Sequence, residues 1–276
     1  MIRNRILALL GWGIFIGLLL AWVLSVSVSQ KAADGEIVVI CMQTAEDADA
    51  ALVYNNREAI LIDTGEAQDA EHILAVMKNR GIDKIDYMIV SHPDKDHIGG
   101  AGRILEKIPV GRVIAPYYTE DNNELSALKA WLEDNKIPIL YPTKTRRLNA
   151  GGIGFIVYPP LEKHYNDVNN YSLSVLIQHG SVNMLFTGDA MRKRSEELLY
   201  TDWPQIALYK VPHHGRANAL SGTLFRVLQP AYAVVTSRTA DAAVIEASRQ
   251  TGTEILYTAG GDLTFISDGG SLKREE

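Results

Sequence analysis

The sequence begins with an uninterrupted apolar stretch and continues as short apolar runs that alternate with amphipathic segments. Residues 6–28 contain no charged side chain, and at about 1.5 Å rise per residue a helix of this length crosses a hydrocarbon core of about 30 Å. Arg3 and Arg5 lie just before the stretch, and only Lys31 lies just after it. Because positive charge stays on the cytoplasmic side, the pattern predicts a membrane anchor over residues 1–31 that places the rest of the chain outside the cytoplasm.

A cleaved signal peptide is the alternative interpretation of the same stretch. Ser27 and Ser29 are small residues of the kind that precede a cleavage site, and cleavage would release the rest of the chain as a secreted protein. The apolar run is longer than the roughly 7–15 residues typical of such peptides, so the pattern favours an uncleaved anchor. Both interpretations put the working part of the chain outside the cytoplasm.

The remaining residues, 32–276, have the pattern of one layered α/β domain. Nine short apolar runs predict strands at residues 36–42, 58–63, 86–91, 153–159, 172–179, 183–188, 206–212, 232–237 and 254–258. Segments with helical spacing of apolar residues lie between several of them, at residues 67–81, 122–135 and 241–252. Strands that alternate with amphipathic helices indicate sheets covered by helices.

Composition and charge narrow the classes of function. The chain has 276 residues, of which 47 % are hydrophobic, enough for one sizeable core. Without the three basic residues of positions 1–31, 24 basic residues stand against 33 acidic ones, a formal charge of −9. This charge counts against a dedicated nucleic-acid binder. Cys41 is the single cysteine, so no intrachain disulfide forms, and its apolar neighbours predict a small core residue.

Polar residues follow several of the predicted strands at the point where each strand ends. Asp63, His92, Asp189 and His213 each occupy such a position. Side chains on loops after strands gather at one edge of the sheets, where binding and catalytic groups of layered proteins concentrate. The sequence therefore predicts a single polar site at this edge.

The densest cluster, HPDKDH at residues 92–97, carries ligand types that divalent transition metals bind. The candidate ligands are His92, Asp94, Asp96 and His97 in this loop, Asp189 in TGDA, and His213 and His214 in VPHHG. Imidazole and carboxylate groups both bind such ions, and two ions that share a carboxylate need six or more of them. A solvated charged turn is the simpler explanation of one such loop, but it does not explain why similar clusters follow other strands. The pattern predicts a site for one or two divalent cations.

These motifs resemble the metallo-β-lactamase superfamily, whose metal loop reads H-x-H-x-D-H. The subtype is similar to the hydrolase domain of the ComEC-type competence proteins and its stand-alone relatives, in which the loop tends to read H-x-D-x-D-H-x-G-G, as HPDKDHIGG does here. The resemblance continues in order through residues 61–66, 169–177, 185–190, 209–215 and 255–265. It covers essentially residues 36–268 and implies an αββα sandwich with two divalent metal ions at one edge.

The resemblance also implies a role for each candidate residue. The implied ligands are His92 and Asp94 for the first metal, Asp96, His97 and His214 for the second, and Asp189 as the bridge between the two. Asp94, Asp96 and His213 are the expected catalytic residues, with His213 facing the substrate or stabilising a developing oxyanion. His214 is expected as the ligand rather than His213 because it directly precedes Gly215.

Three further residues have implied roles around these ligands. Asp63 would orient a ligand histidine, although an aspartate that caps the turn after a strand is the alternative for this residue. Asn169 and Ser172 match the N-x-x-S pattern of the ComEC-like branch. They would contact metal-bound water or the substrate.

The sequence departs from the wider superfamily in ways that affect the metal and the substrate. Asp94 replaces a second histidine, and no histidine matches the one usually found between the metal loop and the bridging aspartate. Such an oxygen-rich first site shifts the metal preference from Zn²⁺ toward Mn²⁺, or holds its metal weakly. Residues 44–50 replace the G-x-G-D turn near the start, and residues 234–244 lack the N-x-x-x-H-P run of full-length ComEC domains.

The function implied by the resemblance is that of an extracytoplasmic, metal-dependent hydrolase. A metal-bridging hydroxide would attack a phosphodiester or related ester, and nucleic acid or a cell-envelope polymer is the expected substrate. The alternatives are a binding protein that keeps the fold but has a vestigial site, and a nuclease linked to DNA uptake. A β-lactam hydrolase is a weaker third alternative because the imidazole-rich first site usual for that activity is missing. The membrane is the expected partner of residues 1–31, and no protein partner can be inferred.

Overall fold

The computed structural model describes residues 32–45, 47–120 and 122–275. The predicted membrane anchor over residues 1–31 lies outside these ranges. Within them, every helix is too short or too polar to cross a lipid bilayer.

The described residues form two β-sheets with helices on their outer faces. The strands are β1 (Ile37–Cys41), β2 (Ala51–Tyr54), β3 (Ala59–Ile62), β4 (Ile85–Ile89), β5 (Val110–Ile114), β6 (Ile139–Leu140), β7 (Arg146–Ala150), β8 (Ile153–Tyr158), β9 (Ser174–His179), β10 (Val182–Phe186), β11 (Leu208–Lys210), β12 (Tyr232–Val235), β13 (Glu254–Tyr257), β14 (Leu263–Ser267) and β15 (Leu272–Arg274). The helices are α1 (Ala70–Asn79), α2 (Lys95–Ile98), α3 (Ala101–Leu105), α4 (Asn123–Asp134), α5 (Arg192–Leu199), α6 (Ser221–Leu228) and α7 (Ala242–Thr251), with 3₁₀ turns at Val168–Tyr171, Pro212–Gly215 and Thr258–Gly260.

The strand order brings the ends of the central strands to one edge. The first sheet has the order β15-β14-β1-β2-β3-β4-β5-β6, and the second has the order β13-β12-β11-β10-β9-β8-β7. Within the first sheet β3, β4 and β5 are parallel, and within the second β10, β11 and β12 are parallel. Parallel neighbours end at the same edge of a sheet, so the loops after β3 and β4, and those after β10 and β11, lie side by side.

Successive side chains along a strand point to opposite faces of its sheet, so each strand contributes to two separate layers of the core. In β1, Ile37 and Val39 belong to the core between the two sheets, whereas Val38 and Ile40 belong to the core beneath the helices of the first sheet. This is the period of two expected for a strand that is buried on both faces. Cys41 is buried in the core, as the sequence predicts, and the structure places it between the two sheets. Burial raises the pKa of its thiol to about 12.

Helices cover the outer face of each sheet. Ile73 and Met77 of α1 pack on the first sheet, and Leu224 and Phe225 of α6 pack on the second. The four layers confirm the predicted αββα sandwich.

The three predicted helices are present as α1, α4 and α7, within a few residues of the predicted bounds. The start of α4 is fixed by Asn122, whose side-chain oxygen accepts a hydrogen bond from the backbone N–H of Leu125 at 2.8 Å. Some strands were not predicted, among them β5 and β7. Both contain exposed arginines, such as Arg112 and Arg147, which interrupt the apolar run that sequence reading relies on.

Candidate metal centre

Asp63 and His97 form the buried base of a polar site at this edge. Asp63 directly follows β3 with a φ of 58°. Its carboxylate accepts hydrogen bonds from the backbone N–H and the hydroxyl of Ser91, at 2.7 and 2.8 Å, and from Nδ1 of His97 at 2.9 Å. Because Nδ1 of His97 donates to Asp63, only Nε2 of His97 can bind a ligand in the site. It is buried and forms no hydrogen bond among the described residues.

His92 packs against His97, with 4.1 Å between the ring centroids. Nδ1 of His92 lies 3.1 Å from the hydroxyl of Ser91. Nε2 of His92 is buried and also lacks a hydrogen bond within the described part of the chain. Oδ2 of Asp94 lies 3.5 Å from this nitrogen, but the Asp94 side chain is 35 % exposed. His92 therefore faces the interior of the site, and Asp94 lies at its rim.

The glycines after the loop allow the chain to pack closely here. A Cβ on Gly100 would collide with the carbonyl oxygen of Thr64, and a Cβ on Gly99 would collide with that of Lys95. The backbone N–H of Thr64 donates to the carbonyl oxygen of His97 at 2.7 Å. The metal loop and the turn after Asp63 are therefore held directly against each other.

Asp189 lies between two histidines. Its Oδ1 is 3.2 Å from Nε2 of His97, and its Oδ2 is 3.1 Å from Nε2 of His214. The backbone N–H of Asp189 donates to the hydroxyl of Ser172 at 3.0 Å. The preceding Gly188 has a φ of 54°, and a Cβ there would lie 2.8 Å from that hydroxyl oxygen. The two carboxylate oxygens of Asp189 therefore face two different imidazoles.

Asp96 and His214 complete the interior, and His213 lies beside them. Oδ2 of Asp96 lies 3.1 Å from Nε2 of His214 and 3.9 Å from Nε2 of His97. His213 and His214 both have a φ of 53°, a left-handed conformation that is uncommon for residues other than glycine. His214 is buried, whereas His213 is only half-buried and its ring lies 3.2 Å from a guanidinium nitrogen of Arg216.

Two site residues were missed by the sequence analysis, Asp49 and Lys210. Oδ1 of Asp49 accepts a hydrogen bond from Nδ1 of His214 at 3.1 Å, and Oδ2 forms an ion pair with the ammonium of Lys210. Lys210 also lies 3.5 Å from Oδ1 of Asp189. The available signals were an aspartate directly before the apolar run of β2 and a lone charge inside the apolar run LYKV.

Asn169 and Ser172 lie beside this cluster. Ser172 is fully buried and holds the backbone of Asp189, as described above. Oδ1 of Asn169 is buried without a hydrogen-bond partner among the described residues. An unpaired buried oxygen is costly unless a ligand or water satisfies it. Contact of Asn169 with water or substrate remains a prediction from the sequence.

Mutual attraction of opposite charges dominates the electrostatics of the site. Burial disfavours the charged form of Asp189, yet the nearby His97 and Lys210 hold its pKa well below the usual value. Burial also opposes ionisation of Asp49, but Lys210 and His97 lower its pKa. Asp96 follows the same pattern, because the hydrogen bond from His214 outweighs the effect of burial and lowers the pKa.

The pKa values of three groups that are cationic when protonated, His97, Lys210 and His214, are raised. Burial lowers the pKa of His214, but the carboxylates of Asp49 and Asp189 outweigh it and raise the pKa to about 10. The same two carboxylates raise the pKa of Lys210, and Asp189 with Asp63 raises that of His97 well above the usual value, in both cases against burial. His213 differs, because burial and the nearby Arg216 lower its pKa despite Asp189.

The donor set fits a divalent cation. Asp49, His97, Asp189 and His214 each offer one ligand atom, and the four atoms lie within 4.8 Å of one another. The unbonded Nε2 atoms of His92 and His97 have the lone-pair chemistry that such an ion requires. Mixed imidazole and carboxylate ligands suit divalent transition metals.

Comparison with known proteins agrees with this geometry. The metallo-β-lactamase superfamily matches residues 44–236, more than half of the chain. Three curated relatives are Recombination protein 2 of Haemophilus influenzae, with 29 % identity over 68 % of this chain, ComE operon protein 3 of Bacillus subtilis, with 26 % over 66 %, and Competence protein ComA of Neisseria gonorrhoeae, with 28 % over 81 %. The alignments span 23 %, 26 % and 31 % of those proteins, respectively, so this chain corresponds to about a quarter to a third of each.

The fold is also found among solved structures. The metallo-β-lactamase fold protein YhfI from Bacillus subtilis superimposes with a TM-score of 0.60 at 12 % identity, over 84 % of this chain and 100 % of YhfI. At this identity the similarity shows the fold alone. The sequence match, the four-layer architecture and the cluster of histidines and aspartates lead to one conclusion: the chain belongs to the metallo-β-lactamase superfamily and is a relative of its ComEC-like competence proteins.

Proposed function

We propose that this protein is a metal-dependent hydrolase that acts outside the cytoplasm on a phosphodiester or a related ester. The observation that carries the proposal is the position of Asp189, whose two carboxylate oxygens each face a different buried imidazole, those of His97 and His214. A carboxylate in this position can bind two cations at once. The location outside the cytoplasm rests on the charge pattern of residues 1–31.

The proposed ligands follow from these positions. They are His92 and Asp94 for the first cation, Asp96, His97 and His214 for the second, and Asp189 for both. When bound, two divalent cations lower the pKa of a water molecule and polarise the oxygens of the scissile ester. Because Asp94 supplies oxygen where the wider superfamily has imidazole, we expect the first site to bind Mn²⁺ well relative to Zn²⁺.

The protein itself positions these groups and receives the substrate. Asp63 fixes the ring of His97 through Nδ1, and Ser172 fixes the backbone of Asp189. His213 and Arg216 lie together at the rim, with 3.2 Å between the ring and the guanidinium. A cation and an imidazole at the entrance suit a substrate with an anionic oxygen, which favours a phosphodiester over a neutral ester.

Hydrolysis of a model phosphodiester tests the proposal. The full-length chain, purified in a mild detergent and supplied with Mn²⁺ or Zn²⁺, should hydrolyse bis-p-nitrophenyl phosphate. Asp189→Ala should abolish this activity, whereas Glu246→Gln, which changes an exposed carboxylate of α7, should leave it intact. Unchanged activity in Asp189→Ala would contradict the proposal. If the wild-type chain retained no metal after dialysis, the alternative of a binding protein with a vestigial site would stand instead.

Similarity to proteins named for competence favours a second candidate, a nuclease linked to DNA uptake. The formal charge of −9 outside residues 1–31 argues against strong retention of a polyanion. The two candidates differ in a direct assay: cleavage of single-stranded DNA at low salt, lost in Asp189→Ala, would support the nuclease. Hydrolysis of small phosphodiesters with no cleavage of DNA would leave a cell-envelope phosphodiester as the substrate class.

A further inference from the structure

Asp49 differs from the other carboxylates of the site because the protein already engages both of its oxygens. Oδ1 accepts hydrogen bonds from the hydroxyl of Thr236 at 2.6 Å and from Nδ1 of His214 at 3.1 Å. Oδ2 forms an ion pair with the ammonium of Lys210. Its side chain is only 6 % exposed. Asp49 lies close enough to the other ligand atoms to bind a metal with them. However, three donors already occupy most of the lone pairs with which its carboxylate could bind a metal.

The contact of Asp49 with His214 repeats the contact of Asp63 with His97. In each pair a buried carboxylate accepts a hydrogen bond from Nδ1, at 3.1 and 2.9 Å respectively, and Nε2 is left facing the site. A carboxylate behind a metal-binding histidine fixes the tautomer and the orientation of the ring. Asp49 therefore has the geometry of a second orienting carboxylate.

Lys210 explains how Asp49 keeps its charge in the interior. A buried carboxylate without a cation would be strongly disfavoured. The ammonium of Lys210 also donates to the carbonyl oxygen of Gly188 at 3.2 Å, and Gly188 directly precedes Asp189. Lys210 thus links the carboxylate behind His214 to the turn that carries Asp189.

We propose that Asp49 is a positioning residue that holds the ring of His214 for metal binding, and that Lys210 is the permanent cation that holds Asp49. This inference rests on the metal centre of the proposed function and assigns Asp49 to the support of a ligand, outside the set of ligands. The formal charge of the site agrees with two cations of charge +2. Five carboxylates and the one ammonium of Lys210 give these six side chains a net charge of −4. The carboxylates are those of Asp49, Asp63, Asp94, Asp96 and Asp189.

Metal stoichiometry and affinity distinguish a positioning residue from a ligand. We expect the full-length wild-type chain to retain two cations after dialysis against Zn²⁺ or Mn²⁺. Asp49→Asn should also retain two cations, with the affinity of one of them weakened about tenfold to a hundredfold in competition with a chelator. His214→Ala should lose one cation outright. Loss of one cation from Asp49→Asn, or an affinity equal to that of the wild type, would overturn the inference.

Matched variants control for unrelated damage. Asp63→Asn should weaken affinity by a similar factor through His97, and Glu246→Gln on the exposed face of α7 should leave affinity unchanged. Melting followed by circular dichroism shows whether each variant is folded. A wild-type chain that binds no cation would contradict the proposed function itself, whereas a wild-type chain with two cations and an Asp49→Asn chain with one would contradict only this inference.

Lys210 is tested by a double substitution. Asp49→Asn leaves the ammonium buried without its carboxylate, so adding Lys210→Met should recover part of the lost affinity, because the asparagine oxygen still accepts from Nδ1 of His214. Nitrogen NMR of the zinc-loaded protein should show slow exchange of the Nδ1 proton of His214 with water in the wild type and in the double variant, and faster exchange in Asp49→Ala, which removes the hydrogen-bond acceptor. A further loss of affinity in the double variant would overturn the role of Lys210.

Discussion

His213 and His214 are neighbours in sequence, yet only His214 faces the buried centre. Their ring centroids lie 6.1 Å apart at an interplanar angle of 59°. The side chain of His214 is 1 % exposed and touches carboxylates on three sides, those of Asp49, Asp96 and Asp189. His213 stands at the rim beside a guanidinium. The left-handed backbone conformation of both residues therefore directs the side chain of His214 into the interior of the site and leaves that of His213 at its entrance.

Substituting alanine for His214 should affect both metal binding and hydrolysis, whereas substituting it for His213 should affect hydrolysis alone. His214→Ala should release one cation and reduce hydrolysis to background, because it removes an imidazole from the interior. His213→Ala should keep both cations and lower kcat about 10²–10³-fold, the usual cost of removing one group that stabilises a developing oxyanion. Metal content by atomic emission, together with steady-state kinetics, checks both. Loss of metal from His213→Ala alone would reverse the assignment.

The affinity for metal should rise with pH. A histidine binds metal in its neutral form, but the carboxylates around His214 raise its pKa to about 10, from 6.5 for an isolated side chain. Metal must therefore displace a proton, and affinity should increase by about tenfold per pH unit for each proton displaced. Chelator competition at pH 6, 7 and 8 measures the slope. An affinity independent of pH in this range would show that the histidines are already neutral.

The free energy of unfolding of the chelator-treated protein should fall as the pH rises above 6.5, whereas the affinity for metal rises. Because the pKa of His214 in the folded chain is above its unfolded value of 6.5, the contribution of His214 is complete below pH 6.5 and is lost as the pH rises toward about 10. The lowered pKa of Asp189 gives a contribution that is present above its unfolded value of 3.8 and lost as the pH falls. Urea denaturation should thus show a maximum between roughly pH 4 and pH 6.5. Stability that increases steadily from pH 6 to pH 9 would contradict these shifts.

Gly188→Ala should destabilise the domain by about 2–4 kcal/mol. The substitution puts a Cβ 2.8 Å from Ser91 and Ser172 in a backbone with a φ of 54°. Gly252→Ala is the matched control, because Gly252 has a φ of 70° but no atom within 4 Å of the added Cβ. It should cost only about 1 kcal/mol, the penalty for the left-handed backbone. Equal losses of unfolding free energy in urea would show that the contact with the two serines does not matter.

Metal removal should lower the melting temperature by about 5–10 °C. A ligand at a hundred times its dissociation constant stabilises the folded state by about 2.7 kcal/mol, and a domain of this size shifts by about 2–4 °C per kcal/mol. Zn²⁺ or Mn²⁺ added after chelation should restore the temperature. Mg²⁺ should restore less, because it prefers sites made only of oxygen. No change on chelation of a metal-loaded sample would contradict a metal site built from His97 and His214.

Much of the fold could be predicted because its signals are local. The helices α1, α4 and α7 show clear amphipathic spacing, and the apolar run of β1 is uninterrupted. Strand ends located the polar site for a physical reason. The parallel strands β3 and β4 end at one edge of their sheet, and β10 and β11 end at one edge of theirs, so the polar loops that follow each pair lie side by side.

The support of the site could not be predicted in the same way. Asp49 precedes a strand instead of following one, and 165 positions separate it from His214, its partner across the two sheets. Lys210 cannot bind a divalent cation through its ammonium, so a search for ligand types passes over it. Both residues acquire their roles only from contacts between distant segments, which a single sequence does not contain.

The ion pair of Asp49 with Lys210 has a consequence for the order of assembly. An ammonium supplied by the polypeptide itself already neutralises part of the acidic cluster and ties Asp49 to the turn that carries Asp189. We therefore expect the polypeptide to fold in the absence of divalent ions, because Lys210 already reduces the repulsion among the carboxylates. Under the proposed function, metallation would follow folding, and the surroundings in which the folded protein meets its ions would determine which element is loaded.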